Sequence, residues 1–237
     1  MPAAMIEATN LSKSFGANKA LDAMDLHVGA GEVYALLGAN GAGKTTTISL
    51  LLGFLRADAG QVRVAGIDPA DDPEQARAVT AYIPEQVSLY PSFSGLENLA
   101  YFAALAGKKL NDAEGRALLQ RAGLAEEAAE RRLGDYSKGM RQKVGIAIAL
   151  AKEARVLVLD EPMSGLDPQA ANEFCTLVRQ VADAGSAVLM ATHDIFRARQ
   201  LADRIGILRG GQKRAELRAA DIDAAGLQAV YLQHMGV

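Results

Sequence analysis

The chain has 237 residues, half of them apolar, with a formal net charge of -3 and one cysteine. That length buries one large α/β core with room for a small subdomain, and the faintly acidic balance leaves no basic footprint for nucleic acid. The lone Cys175 excludes an intramolecular disulfide and a cysteine-only metal cluster.

Among Phe174, Leu177 and Val178, Cys175 reads as a core thiol, which sets a reducing, cytoplasmic location as the expectation. Apolar runs such as residues 144–151 are too short to span a bilayer. The N-terminal residues 1–7 lack the basic and apolar regions of a secretion signal.

Over residues 5–28, apolar and polar positions alternate in places (Ile6, Ala8, Leu11; then Met24, Leu26, Val28), as in antiparallel strands. Residues 13–18 between them form a turn carrying one exposed aromatic, Phe15. Residues 33–37 are an unbroken apolar run that predicts a buried strand. Residues 46–54, with Ile48, Leu50, Leu51, Leu52 and Phe54, predict a helix packed on a sheet.

Between strand and helix stands Gly38-Ala39-Asn40-Gly41-Ala42-Gly43-Lys44-Thr45. A glycine-rich turn here aims successive N–H groups and the positive helix end at one point, which favours a di- or triphosphate. In such a loop Lys44 reaches the β- and γ-phosphates and the Thr45 hydroxyl ligates the accompanying Mg²⁺.

Residues 61–66 alternate again, 67–69 make a loop and helix entry, and 77–82 lead to Ile83-Pro84-Glu85-Gln86. From 90 to 134 the strand signals stop. Helical spacing over 96–105, 113–122 and 125–133 predicts an all-helical insertion, entered through Tyr90-Pro91-Ser92-Phe93 with two aromatics near the surface.

Arg155-Val156-Leu157-Val158-Leu159-Asp160-Glu161-Pro162 resumes the sheet. Four apolar residues in a row suit a central parallel strand, and its two carboxylates fall at the strand end, where open α/β sheets bind ligands. With a phosphate loop upstream, Asp160 is expected to hold Mg²⁺ directly or through water, and Glu161 to orient or polarise the attacking water.

A strand over 187–191 ends in Thr192-His193-Asp194, where His193 either is structural or touches a γ-phosphate. His27 and His234 are read as structural. The tail predicts a hairpin (205–208, Gly210-Gly211, 214–217) and a last helix with Leu227, Val230, Tyr231 and Leu232 on its apolar face. With no linker, repeat or low-complexity run, residues 1–237 read as one domain whose helical part covers about 87–150.

Tyr136-Ser137-Lys138-Gly139-Met140-Arg141-Gln142-Lys143 opens a predicted helix over residues 144–151 and resembles the signature motif of ATP-binding cassette (ABC) ATPases. Lys138 replaces the usual first glycine and Met140 the usual glutamine. A Ser-x-Gly turn at a helix N-terminus, here Ser137 and Gly139, is a second anion site. Two phosphate-binding surfaces facing different ways suggest head-to-tail pairing of two chains around shared ATP.

The other motifs follow in ABC order over nearly the whole chain. Ser164-Gly165-Leu166-Asp167 resembles the loop that crosses to the partner, and Thr192-His193-Asp194 the switch-histidine loop. Phe15 takes the place of the aromatic that stacks on adenine and keeps its π-face. Where the family offers a glutamine to Mg²⁺ and water, Pro84-Glu85-Gln86 puts Glu85 at the glutamine position and Gln86 one further on; either could serve.

The resemblance implies an α/β P-loop NTPase core with a mixed sheet, an N-terminal antiparallel β-subdomain and an α-helical insertion. It implies ATP hydrolysis by Lys44, Glu161 and His193, with nucleotide held by Phe15, Gly38, Asn40, Gly41, Ala42, Gly43, Lys44, Thr45, Thr46, Ser137 and Gly139. Mg²⁺ would lie on Thr45, Asp160 and Glu85 or Gln86.

Tyr-Ser-Lys-Gly-Met-Arg-Gln, Pro-Glu-Gln and the ending over 226–232 are similar to the ATPase subunits of bacterial ABC-2 type exporters. That implies a permease partner, a homodimer or heterodimer of cassettes, and a peripheral place on the cytoplasmic face of the inner membrane. The alternative is a soluble ABC ATPase acting on ribosomes or DNA. Relatives of those kinds carry two cassettes, coiled coils or zinc-bearing insertions, whereas this chain has one phosphate loop, no heptad run and no cysteine pair.

Overall fold

The computed structural model describes residues 4–236; residues 1–3 of the segment read for a secretion signal, and residue 237, lie outside the described residues. Strands β1 (Ala4–Phe15) and β2 (Asn18–Gly29) form a hairpin, and β3 (Val33–Leu37) runs into helix α1 (Lys44–Leu51). Strand β4 (Ala59–Val64) returns to complete an antiparallel sheet in the order β2-β1-β4. Helix α2 (Pro73–Val79) precedes β5 (Thr80–Ile83), and α3 (Gly95–Leu105), α4 (Asp112–Arg121) and α5 (Lys138–Ala151) come before β6 (Val156–Asp160).

The chain continues through α6 (Pro168–Asp183), β7 (Ala187–Thr192), α7 (Ile195–Leu201), β8 (Arg204–Arg209), β9 (Gln212–Arg218) and α8 (Ala224–Met235). The second sheet runs β5-β6-β7-β3-β8-β9 and is parallel except for β9. This is the mixed sheet, antiparallel N-terminal sheet and helical insertion that the sequence predicts.

Both faces of the parallel strands are covered, so their sequences are apolar without a break. Successive side chains still part to opposite faces. Val33, Ala35, Leu37, Leu157, Leu159, Val188 and Met190 join the helical side of the core. Tyr34, Leu36, Val156, Val158, Ala187 and Leu189 pack with α1 and the antiparallel sheet. Cys175 is buried, as a core thiol should be, and burial pushes its pKa up.

Three local expectations differ from the fold. Helix α1 begins at Lys44 and ends at Leu51, because Gly53 turns left-handed (φ 70°) and Phe54 N bonds back to Ser49 O. Phe54 therefore lies beyond the helix and is 64% exposed instead of packing on the sheet. Residues 125–133 form no α-helix; there is a 3-10 turn at Glu126–Ala128 and another at Leu133–Asp135. Backbone groups there bond across to the start of α3 (Leu96 N to Ala129 O, 3.0 Å; Leu133 N to Phe93 O, 2.8 Å), and tertiary pairing displaces the helical ladder. The helix predicted from residue 144 starts earlier, at Lys138, capped by the Ser137 hydroxyl accepting from Met140 N.

The sheet is also tied by charge. The Tyr34 hydroxyl donates to Glu216 (2.8 Å), which Lys213 (2.6 Å) and Arg204 also pair. Burial pushes the Glu216 carboxyl up, but its bonds to Lys213, Arg204 and Tyr34 outweigh this and hold it at about 2. A folded pKa below the unfolded value of about 4.3 stabilises the fold above that value and stops doing so as pH falls towards 2. Glu216→Gln should therefore lower Tm by a few degrees at pH 6, and the gap to wild type should narrow as pH falls below about 4 and close only near pH 2. Melting curves across that range check it; a constant gap overturns it.

Candidate functional site

The sheet order places the functional residues. With β7 between β6 and β3, Leu37 pairs with Thr192 and Asp160 with Ala191, so three strand ends finish level. Gly38 N donates to Thr192 O (3.1 Å) and Glu161 N to Ala191 O (2.9 Å). Loops far apart in sequence thus leave one edge of the sheet side by side, the edge where ligands sit in such folds.

The phosphate loop can curl here for steric reasons. Gly43 has φ 115°, and a Cβ on it would lie 2.7 Å from Ala20 O on β2. A Cβ on Gly38 would lie 2.6 Å from Leu208 O of β8. The first contact also sets the hairpin carrying Phe15 against the loop. Phe15 is 49% exposed, with the Lys13 ammonium 5.8 Å from its ring centre.

Lys44 is buried, and its ammonium donates to Gly38 O at 2.6 Å. Asn40, Gly41 and Thr45 are exposed, Thr46 is half-buried, and Ala42 is buried beneath them. Glu161 has φ 47°, an uncommon conformation for a residue with a side chain. Its Oε2 accepts from the Thr192 hydroxyl at 3.1 Å. Its Oε1 is shut from solvent and meets no well-aligned donor; the Lys44 ammonium and His193 Nδ1 lie 3.3 and 2.9 Å away.

Asp160 is half-buried at the end of β6. Burial raises its carboxyl pKa, the neighbouring Glu161 and Glu85 charges add to this, and Lys44 opposes them. Tyr82 of β5 stands beside Asp160, and burial together with that carboxylate pushes the tyrosine up to about 12. A carboxylate disfavoured by burial and by like charge fits a divalent cation beside it. Among the described residues no group of three or more His, Cys, Asp or Glu side chains could hold a metal ion by itself.

The structure brings Lys44, Asp160, Glu161 and His193 together. Glu85 and Gln86 are exposed on the loop after β5. Ser137 and Gly139 sit at the start of α5, beside Leu166 and Ala170, and no hydrogen bond or ion pair among the described residues links them to the phosphate loop. A cavity of about 270 Å³ opens next to Glu161, between Ser164-Gly165-Leu166 and His193-Asp194.

From the sequence, Thr192, Tyr82 and Gln142 are assigned no role of their own. Thr192 anchors Glu161, Tyr82 stands beside Asp160, and the fully buried Gln142 donates to the Pro162 carbonyl just beyond Glu161. Only for Thr192 is there a local signal, a hydroxyl beside His193 at a strand end. The other two contacts depend on sheet order and helix packing.

A family profile described as ABC transporter matches residues 21–164. The daunorubicin/doxorubicin resistance ATP-binding protein DrrA of Streptomyces peucetius is 40% identical over 217 residues, 91% of this chain and 66% of that protein. The Nod factor export ATP-binding protein I of Burkholderia lata is 38% identical over 218 residues, 91% of this chain and 71% of that protein. The chain thus spans about two thirds of the length of these relatives. A solved ATP-binding subunit of an ABC transporter superposes with a TM-score of 0.84 at 32% identity, covering 98% of this chain and 99% of that one. A dimeric ATP-binding cassette in a post-hydrolysis state, bound to ADP and Pi, gives 0.80 at 25% identity, with 91% and 99% covered.

Proposed function

The chain belongs to the ABC transporter family, and we propose that it is the ATP-hydrolysing subunit of a membrane exporter, most similar in kind to ABC-2 type exporters. The observation that carries this reading is the Glu161 carboxylate fixed between Lys44 of the phosphate loop and His193. The export and drug-resistance roles in the names of its relatives support the exporter part.

In this reading the whole chain acts as one nucleotide-binding domain, with residues of about 87–150 as its helical part. The backbone of residues 38–45 cradles the phosphates with Thr46 behind it, Lys44 swings from the Gly38 carbonyl to the β- and γ-phosphates, and Phe15 stacks on adenine. Glu161 Oε1 accepts a hydrogen bond from water. The water oxygen bonds to the γ-phosphorus as its proton passes to Glu161 and on to the released phosphate, while the bond to the β–γ bridging oxygen breaks and ADP leaves. His193 meets the γ-phosphate from beside Glu161. Mg²⁺, held by Asp160 and Thr45 with Glu85 or Gln86 near it, would supply charge neutralisation on the β- and γ-oxygens. Ser137 and Gly139 of a second cassette, identical or not, would close over the same ATP, which accounts for their distance from Lys44 within one chain.

ATP held from both sides favours the closed pair and so shifts its population. Closure would move attached membrane subunits. No helix among the described residues is long and apolar enough to cross a membrane, so the pathway for cargo would belong to a partner. A groove of about 790 Å³ between the core and the helical lobe, lined by Phe54, Ile83, Val87, Leu89, Phe102 and Leu105, would receive a cytoplasmic helix of that permease. The protein would then sit on the cytoplasmic face of the inner membrane.

Phosphate release from Mg-ATP by the purified chain is the first test: steady release abolished by EDTA and restored by Mg²⁺ is expected, and none under either condition overturns the ATPase reading. Phe15→Ala should weaken ATP and GTP binding in parallel, by about tenfold, because stacking reads a π-face and not a base edge. Phe15→Tyr should bind as wild type does. Equilibrium titration with both nucleotides decides, and unchanged affinity in Phe15→Ala removes that residue from the site.

A further inference from the structure

The loop after β5 and the start of α5 meet through one side chain. The Lys138 ammonium donates to Ser164 O at 2.6 Å and lies 3.7 Å from Glu85 Oε1. Lys138 stands at the first residue of α5 and Glu85 just past β5, while Ser164 lies three residues beyond Glu161. One cation therefore touches the loops on both sides of the carboxylate cluster. Lys138 is partly shielded and Glu85 is exposed, with side-chain exposures of 31% and 49%. Glu85 also stands close enough to Asp160 for its charge to be felt there. With Asp160 and Glu161 it makes a third carboxylate at an edge meant to receive a polyphosphate, and like charges so placed repel an anion.

We propose that Lys138 is a positioning residue that neutralises Glu85 and, with the same ammonium, fixes the Ser164-Gly165 loop, so that a glutamate can stand beside the nucleotide site without weakening phosphate binding. The inference rests on the nucleotide reading above for its consequence, but not for the contact itself. A lysine and a glutamate, one on the signature turn and one on the loop after β5, then act as a unit. Each removed alone leaves the other charge unpaired; removed together, neither is left.

Four proteins test this: wild type, Lys138→Ala, Glu85→Gln and the double variant, with Lys138→Arg as the conservative control. In the nucleotide-free proteins, amide hydrogen exchange over residues 84–88 and 163–166 should speed up in Lys138→Ala and remain near wild type in Lys138→Arg. In titrations with Mg-ATP, Lys138→Ala should bind about fivefold more weakly, and adding Glu85→Gln to it should recover most of that loss. Unchanged exchange at both segments in Lys138→Ala overturns the contact. A double variant that binds Mg-ATP no better than Lys138→Ala overturns the charge compensation. Failure of wild type to bind Mg-ATP would instead sink the nucleotide reading, with the contact still judged by exchange.

Discussion

Glu161→Gln is expected to slow ATP hydrolysis by about 10²–10⁴-fold, the range lost when a positioned acid–base group is removed, and to leave ATP bound. The amide is the same size as the carboxyl it replaces, so the contact with Thr192 survives the substitution. What it loses is the negative oxygen that faces Lys44 and His193 and would draw a proton from the attacking water. Removing one of two adjacent carboxylates also lessens repulsion of the γ-phosphate, so nucleotide affinity should rise while turnover falls.

A site that binds without turning over accumulates the closed pair of cassettes. Gel filtration in Mg-ATP should show a dimer for Glu161→Gln under conditions where wild type runs as a monomer. The same variant, used as bait in native membranes with Mg-ATP, should retain a polytopic membrane protein. Wild-type turnover by the variant would end the role given to Glu161. Capture of ribosomal or DNA-bound proteins, with nothing integral to the membrane, would end the exporter reading and leave the ATPase one standing.

Lys44→Ala should lower the affinity for Mg-ATP, and turnover with it, by about 10²–10³-fold, the cost of losing a fixed cation aimed at developing phosphate charge. Lys44 is only 6% exposed, and its ammonium rests on the Gly38 carbonyl and near Glu161. Removing it takes away a single cation that would face the phosphates and that opposes the raised Asp160 carboxyl. Lys44→Arg should not restore binding, because a space matched to a slim ammonium stem has no room for a planar guanidinium. Isothermal titration with Mg-ATP and a phosphate-release assay check both variants. Unchanged values for Lys44→Ala would remove the loop from the nucleotide site.

Much of the site was legible because it is local. Strand, glycine-rich turn and helix occupy consecutive residues, so Gly38 to Thr45 could be read from spacing alone, as could the Asp160-Glu161 pair after its apolar strand. The antiparallel start and the terminal hairpin carried period-2 alternation, and helices α3 and α4 carried their own capping residues, Ser94 and Asn111. Residues 125–133 had helical spacing without such local support, and bonds to the start of α3 took their backbone instead. Phe54 followed an apolar run in sequence but came after a left-handed glycine, which no hydrophobic pattern registers.

The sequence by itself determined the apolar strands, the insertion helices α3 and α4 and the residues that can handle a phosphate, because those properties arise from neighbours along the chain. Only the tertiary structure decided that β7 lies between β6 and β3, and hence that Lys44, Glu161 and His193 meet. It alone placed Thr192 under Glu161, Tyr82 beside Asp160 and Lys138 between Glu85 and Ser164. Such contacts depend on strand order, register and helix packing, which are set by burying the whole core at once.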